Sequence, residues 1–187
     1  CKQDPKTEIL FIGNHDRMEA KEIPAHGYAF KGLNASGLTG NVFNKIKAVT
    51  LMGIAFTKAN KIVKEFKPDI AVGFGGYVSG PVLRMAAKLG FPTAIHEQNA
   101  FPGVTNKMLS KHADRVMLAI EDAKRHMDPN ASFTVTGNPV RGQIVTSQKQ
   151  ASRDYLRLDN RPVILSFGGS LGARKINEAA ADLIAWS

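Results

Sequence analysis

Cysteine, acidic residues and long apolar runs are all scarce in this sequence, and each scarcity narrows the possible classes of protein. Cys1 is the single cysteine among 187 residues, which rules out an internal disulfide and fits a reducing compartment. No apolar run reaches the length of a membrane-spanning helix. There is also no internal repeat and no low-complexity segment, so one or two ordinary globular domains are expected.

The shortage of acidic residues leaves the chain strongly basic. Lysine and arginine total 25 against 16 aspartate and glutamate, a formal net charge of +9. Such an excess favours an anionic partner, which leaves nucleic acid, a phosphorylated ligand and an acidic membrane surface as classes. Nucleic acid is supported by charge alone, because basic and aromatic residues are not interleaved. We therefore expect no nucleic-acid partner.

What is present is organised around residues 69–99, which have the pattern of a β-α-β unit. A short apolar run at 70–74 ends in Gly75 and Gly76, as expected for a buried parallel strand. A helix is predicted next, with Ser79 as its cap and Pro81 in its first turn. A second strand at 93–95 is followed by four polar side chains: His96, Glu97, Gln98 and Asn99.

Both features of this unit fall at the carboxyl edge of the predicted sheet, where open parallel sheets bind ligands. Glycine lets the backbone approach a ligand and adopt positive φ, and the helix behind it presents free N–H groups to an anion. The alternative is that Gly75 and Gly76 only make a tight turn. Residues 96–99 could equally be a solvated loop, although four consecutive hydrogen-bonding residues favour a site.

Strands alternate with helices along the rest of the chain, which predicts an α/β doubly wound sheet. The polar segment 143–154 is predicted to be a domain boundary. After it, a β-branched strand at 163–167 leads into Gly168 and Gly169, and a helix begins at residue 173. Arg174 and Lys175 oppose the dipole of that helix, so they suit either a nearby phosphate or simple exposure to solvent.

Several ordered motifs resemble the MurG family, and together they cover essentially the whole chain. They are Gly75-Gly76-Tyr77-Val78-Ser79-Gly80-Pro81, His96-Glu97-Gln98-Asn99, Thr105-Asn106-Lys107, Thr136-Gly137-Asn138-Pro139-Val140-Arg141 and Gly168-Gly169-Ser170-Leu171-Gly172-Ala173-Arg174, with Asp16-Arg17-Met18-Glu19 and Ser36-Gly37-Leu38 nearer the start. Leu171 stands where many relatives have Gln, which alters the expected donor contacts slightly.

The resemblance implies an inverting glycosyltransferase of the GT-B fold, built from two Rossmann-like domains with a cleft between them. Such enzymes move N-acetylglucosamine from UDP-N-acetylglucosamine to lipid I, giving lipid II for bacterial peptidoglycan. They work as peripheral proteins at the cytoplasmic face of the cell membrane, with no cofactor and no catalytic metal. Residues 1–141 would then be the acceptor-side amino-terminal domain. Residues 142–187 would be the linker and the first strand, loop and helix of the UDP-sugar domain.

The resemblance also assigns roles to individual residues. Asn99, Arg141 and Ser170 match contacts to the UDP-sugar, with Gly168 and Gly169 beside them. A loop that cradles the acceptor diphosphate is matched by Gly75, Gly76, Tyr77, Ser79 and Gly80. His96 and Glu97 match supporting residues near the reacting sugar. Alternatives remain open: His96 could fix its loop structurally, Arg141 could form a domain-interface ion pair, and Ser170 could be a plain helix cap.

The chain opens on Cys1 in what resembles the middle of an element, so truncation at both ends is expected. In the family, a first strand and a glycine-rich loop with a histidine would precede this point. That histidine is a leading candidate for the general base, so the base cannot be assigned to a residue here. We expect the 187-residue chain by itself to be inactive, marginally stable and prone to aggregate.

A membrane patch is predicted in the long helical stretch 41–67. It combines surplus apolar residues, including Phe43, Ile46 and Phe56, with six lysines against Glu65 alone. A basic helix of this kind can lie at an anionic lipid surface. The alternative is that the apolar residues pack under the loop at 34–40 and the lysines are merely solvated.

Two rival functions remain at this point. One is another GT-B enzyme, either a glycolipid glycosyltransferase or a UDP-sugar epimerase. The sequences His-Glu-Gln-Asn and Gly-Asn-Pro-Val-Arg argue against it. The other is a non-catalytic, membrane-binding fragment, which donor binding would distinguish from an enzyme.

Overall fold

A computed structural model describes residues 4–35, 42–168 and 173–186, with only the backbone described for 42–49. The chain divides into two compact units, Cys1–Pro139 and Val140–Ser187. The first unit contains all six of the described strands, so it holds the candidate site.

The first unit alternates strands and helices in the order expected from the sequence. Its strands are β1 (Leu10–Asn14), β2 (Ala29–Leu33), β3 (Ala71–Gly73), β4 (Thr93–Glu97), β5 (Arg115–Leu118) and β6 (Phe133–Val135). Its α-helices are α1 (Glu19–Ala25), α2 (Val42–Phe66), α3 (Gly76–Lys88) and α4 (Val104–Leu109), with a 3-10 helix at Glu121–His126.

All the strands pair in parallel, which confirms the predicted α/β class, but they form two sheets rather than one. β1 pairs with β2, while the larger sheet has the order β3-β4-β5-β6. β1 and β3 line a common groove of about 550 Å³. In the part of the chain that the structure describes, neither strand has a second neighbour.

Two hydrophobic cores hold these layers together. One lies around the larger sheet and includes Leu83, Ile95, Val116 and Leu118. The other joins Leu33 of β2 to the inner faces of α2 and α3. β4 is buried at all five positions because it lies inside the larger sheet. Its last two residues, His96 and Glu97, were predicted to follow the strand, and the structure places them within it.

The start of α3 also differs from the prediction. The helix begins at Gly76 with Gly75 as its N-cap, four residues before the cap expected at Ser79. Ser79 therefore lies inside the helix, where its hydroxyl donates a hydrogen bond to the Gly75 carbonyl. Pro81 is interior too, and it removes the bond that an N–H there would have donated to the carbonyl of Tyr77.

The second unit is helical where the structure describes regular elements. Its helices are α5 (Gly142–Thr146), α6 (Lys149–Tyr155) and α7 (Arg174–Trp186). The polar segment expected at 143–154 thus forms most of two short helices. The prediction of a strand at 163–167 is wrong. That stretch pairs with no segment of residues 4–35, 42–168 or 173–186, and without a partner for its backbone a β-prone sequence is not a strand.

Among the described helices, none is long and apolar enough to cross a membrane.

Candidate active site at the carboxyl edge of the sheet

The loops that follow β3 and β4 meet at the carboxyl edge of the larger sheet. Phe74 and Gly75 connect β3 to α3, which begins at Gly76, and residues 98–103 connect β4 to α4. The Gln98 side chain joins the two loops, because its Nε2 donates to the Phe74 carbonyl at 3.3 Å. The structure thus brings together the glycine turn and the polar residues that the sequence predicted at one edge.

The glycine turn needs residues without a side chain. Gly75 has φ +87° and ψ −165°, and Gly76 has φ +75°, a conformation that other residues rarely adopt. Tyr77 follows in the first turn of α3, with about half of its surface exposed. Since the first amides of an α-helix lack intrahelical partners, this turn offers N–H donors to an anion. Further along α3, Gly80 lies against Thr105 of α4.

His96 is buried, and both of its ring nitrogens have protein partners. Nε2 lies 3.0 Å from the Gly137 carbonyl, and Nδ1 lies 3.2 Å from Nε2 of Gln98. A carbonyl accepts and an amide nitrogen donates, so this arrangement selects the tautomer with the proton on Nε2. The imidazole therefore joins the end of β4 to the loop after β6. Such bonds are what a structural role for His96 predicts.

Glu97 is 2% exposed, and its carboxylate accepts four hydrogen bonds. Oε1 accepts from the backbone N–H of Asn99 at 3.0 Å and from its Nδ2 at 3.1 Å. Oε2 accepts from Nδ2 of Asn106 at 2.8 Å and from the Gly103 N–H at 3.3 Å. Burial raises the pKa of Glu97, but these hydrogen bonds outweigh burial and hold the pKa below its usual range. The side chain is thus an ionised anchor for the loop.

Asn99 is exposed, and its side chain is oriented by Glu97. Because Nδ2 donates to the carboxylate, the amide oxygen is directed elsewhere. That oxygen has no hydrogen-bond partner within the described ranges of the chain. It is therefore available as an acceptor for a ligand.

Asn106 is a member of the site that sequence reasoning missed. It belonged to the motif Thr105-Asn106-Lys107, but neither spacing nor residue type indicated a role. In the structure it is 2% exposed, and its Nδ2 also donates to the His96 carbonyl at 3.2 Å. Its Oδ1 has no partner among the described residues. The amide group lies beside Gly75, where an added Cβ would be 3.5 Å from Nδ2 and 3.8 Å from Oδ1. A buried acceptor left unpaired costs roughly 1–3 kcal/mol.

The remaining predicted contacts lie in the second unit or outside the described residues. Arg141 caps α5 with an exposed side chain. Gly168 is half-buried, whereas Gly169 and Ser170 lie outside the described residues, as does the Ser36-Gly37-Leu38 motif. The side chains of Phe43 and Ile46 are also outside the description, while Phe56 is half-buried in α2.

A parallel α/β sheet with a glycine turn and a polar loop at its carboxyl edge is the geometry of a Rossmann-like ligand-binding domain. Residues 1–118 match the glycosyltransferase family 28 N-terminal domain, and the chain belongs to that family.

Individual relatives show which members of the family the chain is similar to. The chain is 42% identical over 185 residues to an Alkaliphilus oremlandii protein, covering 98% of this chain and 50% of that protein. It is 41% identical to a Flavobacterium psychrophilum protein, covering 97% and 50%. Both are named UDP-N-acetylglucosamine--N-acetylmuramyl-(pentapeptide) pyrophosphoryl-undecaprenol N-acetylglucosamine transferase. The chain spans about half the length of these curated relatives.

Solved structures agree with the sequence relatives. The crystal structure of Acinetobacter baumannii MurG matches with a TM-score of 0.66 and 31% identity, over 91% of this chain and 47% of that one. A UDP-N-acetylglucosamine 2-epimerase described as putative, from Listeria monocytogenes, is 14% identical with a TM-score of 0.51 and shares only the fold. The resemblance to the MurG family and to its GT-B fold is confirmed.

Proposed function

We propose that this chain is the acceptor-side part of an N-acetylglucosaminyltransferase that converts lipid I to lipid II with UDP-N-acetylglucosamine as donor. One observation carries the proposal: the glycine turn before α3 and the Asn99 loop adjoin at one sheet edge, linked by Gln98 and Asn106. An anion site and a polar sugar contact side by side suit a transfer between two diphosphate-bearing substrates.

The proposed reaction forms one bond and breaks one. The acceptor hydroxyl oxygen attacks the anomeric carbon of N-acetylglucosamine, the bond from that carbon to UDP breaks with its electron pair, and configuration inverts. The hydroxyl proton passes to a general base, for which we assign no residue of this chain. His96 and Glu97 are proposed as supports, because both are already bonded to protein groups.

In the proposed reaction, the main role of this chain is to stabilise the negative charge of the two diphosphate groups. The free amides at the start of α3 would hold the acceptor diphosphate, with Gly75 and Gly76 allowing its close approach. Arg141 would offset the charge that develops on UDP, because a guanidinium makes strong hydrogen bonds to phosphate oxygens. Asn99 would accept a hydrogen bond from the donor sugar or nucleoside through its unpaired oxygen.

The test is Asn99→Ala in the full-length transferase that carries these residues. Losing one hydrogen bond of this kind is expected to lower kcat/KM for UDP-N-acetylglucosamine about tenfold to a hundredfold. Transfer is measured with labelled donor and a lipid I analogue. Asn130→Ala is the matched control, because Asn130 lies in the exposed turn before β6, at the opposite edge of the sheet. Equal kinetics of Asn99→Ala and the parent would refute the proposed contact between Asn99 and the donor. Absence of transfer by the parent would refute the function.

We further propose that the face around Phe56 docks on an anionic membrane, where the lipid acceptor resides. Phe56, Met85 and Ala87 line a hollow of about 580 Å³. Three basic side chains border the same hollow: Arg84, Lys88 and His112. A hollow lined by both apolar and basic side chains suits the interface of an anionic bilayer, where each nearby Lys or Arg contributes about 1 kcal/mol.

Co-sedimentation with vesicles tests the membrane face. Replacing Phe43, Ile46 and Phe56 by Ser in the full-length enzyme is expected to weaken binding to phosphatidylglycerol vesicles, and salt should weaken binding of the parent. Val135→Ser is the control, because Val135 is also an exposed apolar residue but lies on β6 and does not line this hollow. Unchanged binding of the triple variant, or binding indifferent to salt, would refute the docking face.

A further inference from the structure

Glu97 and Asn106 form a buried pair that contacts both loops of the candidate site. The carboxylate of Glu97 holds the backbone and side chain of Asn99 and the backbone of Gly103. The amide of Asn106 donates to that carboxylate and to the His96 carbonyl, and it lies beside Gly75, where an added Cβ would be 3.5 Å from Nδ2. The Gln98 side chain bridges the same three segments, because its Nε2 reaches the carbonyls of His96 and Phe74, but unlike Glu97 and Asn106 it is only partly buried.

The orientation of Asn106 leaves little freedom in this arrangement. Both hydrogen-bond partners of Nδ2 are acceptors, so turning the amide over would set an oxygen against the carboxylate and the His96 carbonyl. Oδ1 is then left without a hydrogen-bond partner among the described residues. Keeping a buried acceptor unpaired is unfavourable, which indicates that the bonds made by Nδ2 determine the side-chain position.

We propose that Glu97 and Asn106 are positioning residues that set the donor contact and the acceptor loop as one unit. Glu97 fixes Asn99, and Asn106 transmits the same alignment to the Gly75–Gly76 turn. This inference rests on the proposed function, since it concerns the two substrates of that transfer. It predicts that a substitution in either residue weakens the binding of both substrates, although neither side chain needs to touch them.

The experiment compares Asn106→Ala, Glu97→Gln and the double variant in the full-length transferase. Each single variant is expected to raise KM for UDP-N-acetylglucosamine and for a lipid I analogue by about tenfold, the loss of a hydrogen bond to a charged group. Glu97→Gln keeps the size of the side chain but turns an amide nitrogen towards one of the two pairs of donors that the carboxylate accepts from. Because the two residues act through one contact, the double variant should be no worse than the worse single variant.

Ser110→Ala is the matched control for loss of stability. Ser110 is equally buried at the end of α4, and its Oγ donates to the Lys107 carbonyl and accepts from the Asp128 N–H. It should lower the melting temperature while leaving both KM values unchanged. Assays are run below the lowest melting temperature, and if Asn106→Ala does not fold, Glu97→Gln decides.

The outcomes separate this inference from the function on which it rests. A rise in KM for both substrates in the same variant supports the proposal that Glu97 and Asn106 position the two loops. A variant that melts earlier but keeps both KM values within twofold, or that changes only one of them, overturns it while transfer by the parent stands. A parent that transfers no sugar overturns the function itself.

Discussion

Asp114 and Thr93 form a hydrogen-bonded clamp at the amino edge of the larger sheet, opposite the candidate site. One Asp114 oxygen accepts from the Thr93 N–H at 2.7 Å and from its hydroxyl at 2.9 Å. These bonds from the Thr93 backbone and side chain hold the pKa of Asp114 below its usual value. The clamp therefore joins the start of β4 to the residue before β5.

The clamp predicts a pH-dependent stability. A carboxylate with a depressed pKa stabilises the fold above its unfolded pKa of 3.8, and that stabilisation is lost as pH falls through the lower folded pKa. Asp114→Asn should therefore lower the free energy of unfolding at pH 7, and the difference from the parent should shrink below about pH 3.8. Urea unfolding across this range measures it.

Asp69→Asn is the control for this effect, because Asp69 is exposed and has no hydrogen-bond partner in the described part of the chain. A difference between Asp114→Asn and the parent that stayed constant down to pH 2 would show that the carboxylate charge does not matter.

At the scale of elements, α3 lies so close to β3 that one position admits no side chain. A Cβ on Gly73 would lie 2.5 Å from Cδ1 of Leu83 and 3.2 Å from its Cγ. Leu83 is buried in the core of the larger sheet, so it has little room to move. The contact sets the distance between the strand and the helix that carries the glycine turn.

Alanine substitutions in two glycines should have opposite effects. Gly73→Ala is expected to destabilise the first unit by about 1–3 kcal/mol, the usual cost of overpacking. Gly53→Ala is the matched control: Gly53 lies inside α2, nothing lies within 4 Å of its added Cβ, and the gain in helix propensity is about 0.5–1 kcal/mol. Denaturant unfolding compares the two, and equal stabilities of both variants would contradict the steric argument.

The elements that sequence predicted well are those whose pattern is local. The apolar runs of β3 and β4 and the turn at Gly75 were recognisable because burial and glycine leave direct signals. The start of α3 was predicted wrongly because Ser79 is a good capping residue, and sequence does not show whether such a residue caps a helix or lies inside it. The role of Asn106 could not be predicted, because its contact with Glu97 depends on how the intervening loop folds. The stretch 163–167 has strand-forming residues, but pairing needs a neighbour that sequence alone cannot supply.

At the scale of the whole molecule, the unpaired stretch at 163–167 exposes apolar side chains. Ile164 and Leu165 are 75% and 77% exposed, and Val163 and Phe167 are exposed as well. An exposed apolar segment that pairs with no strand in the described part of the chain is a template for pairing with another chain. We therefore expect the 187-residue chain to associate with itself as its concentration rises.

Replacing Ile164 and Leu165 by Lys should reduce that association, which sedimentation velocity over a range of concentrations would measure. Gln143→Lys with Gln148→Lys adds the same charge at exposed polar positions of the second unit and controls for repulsion. Monomeric behaviour of the parent at high concentration, with a sharp unfolding transition, would contradict the expectation.

The order of strands in the larger sheet has a consequence for how the protein is made. Its strands stand in the order in which they are translated, β3, β4, β5 and then β6, and each pairs with the one that precedes it. A ribosome releases about 5–20 residues per second, so each new strand emerges beside a partner that is already outside the exit tunnel. The sheet can thus grow during synthesis, one strand and one connection at a time.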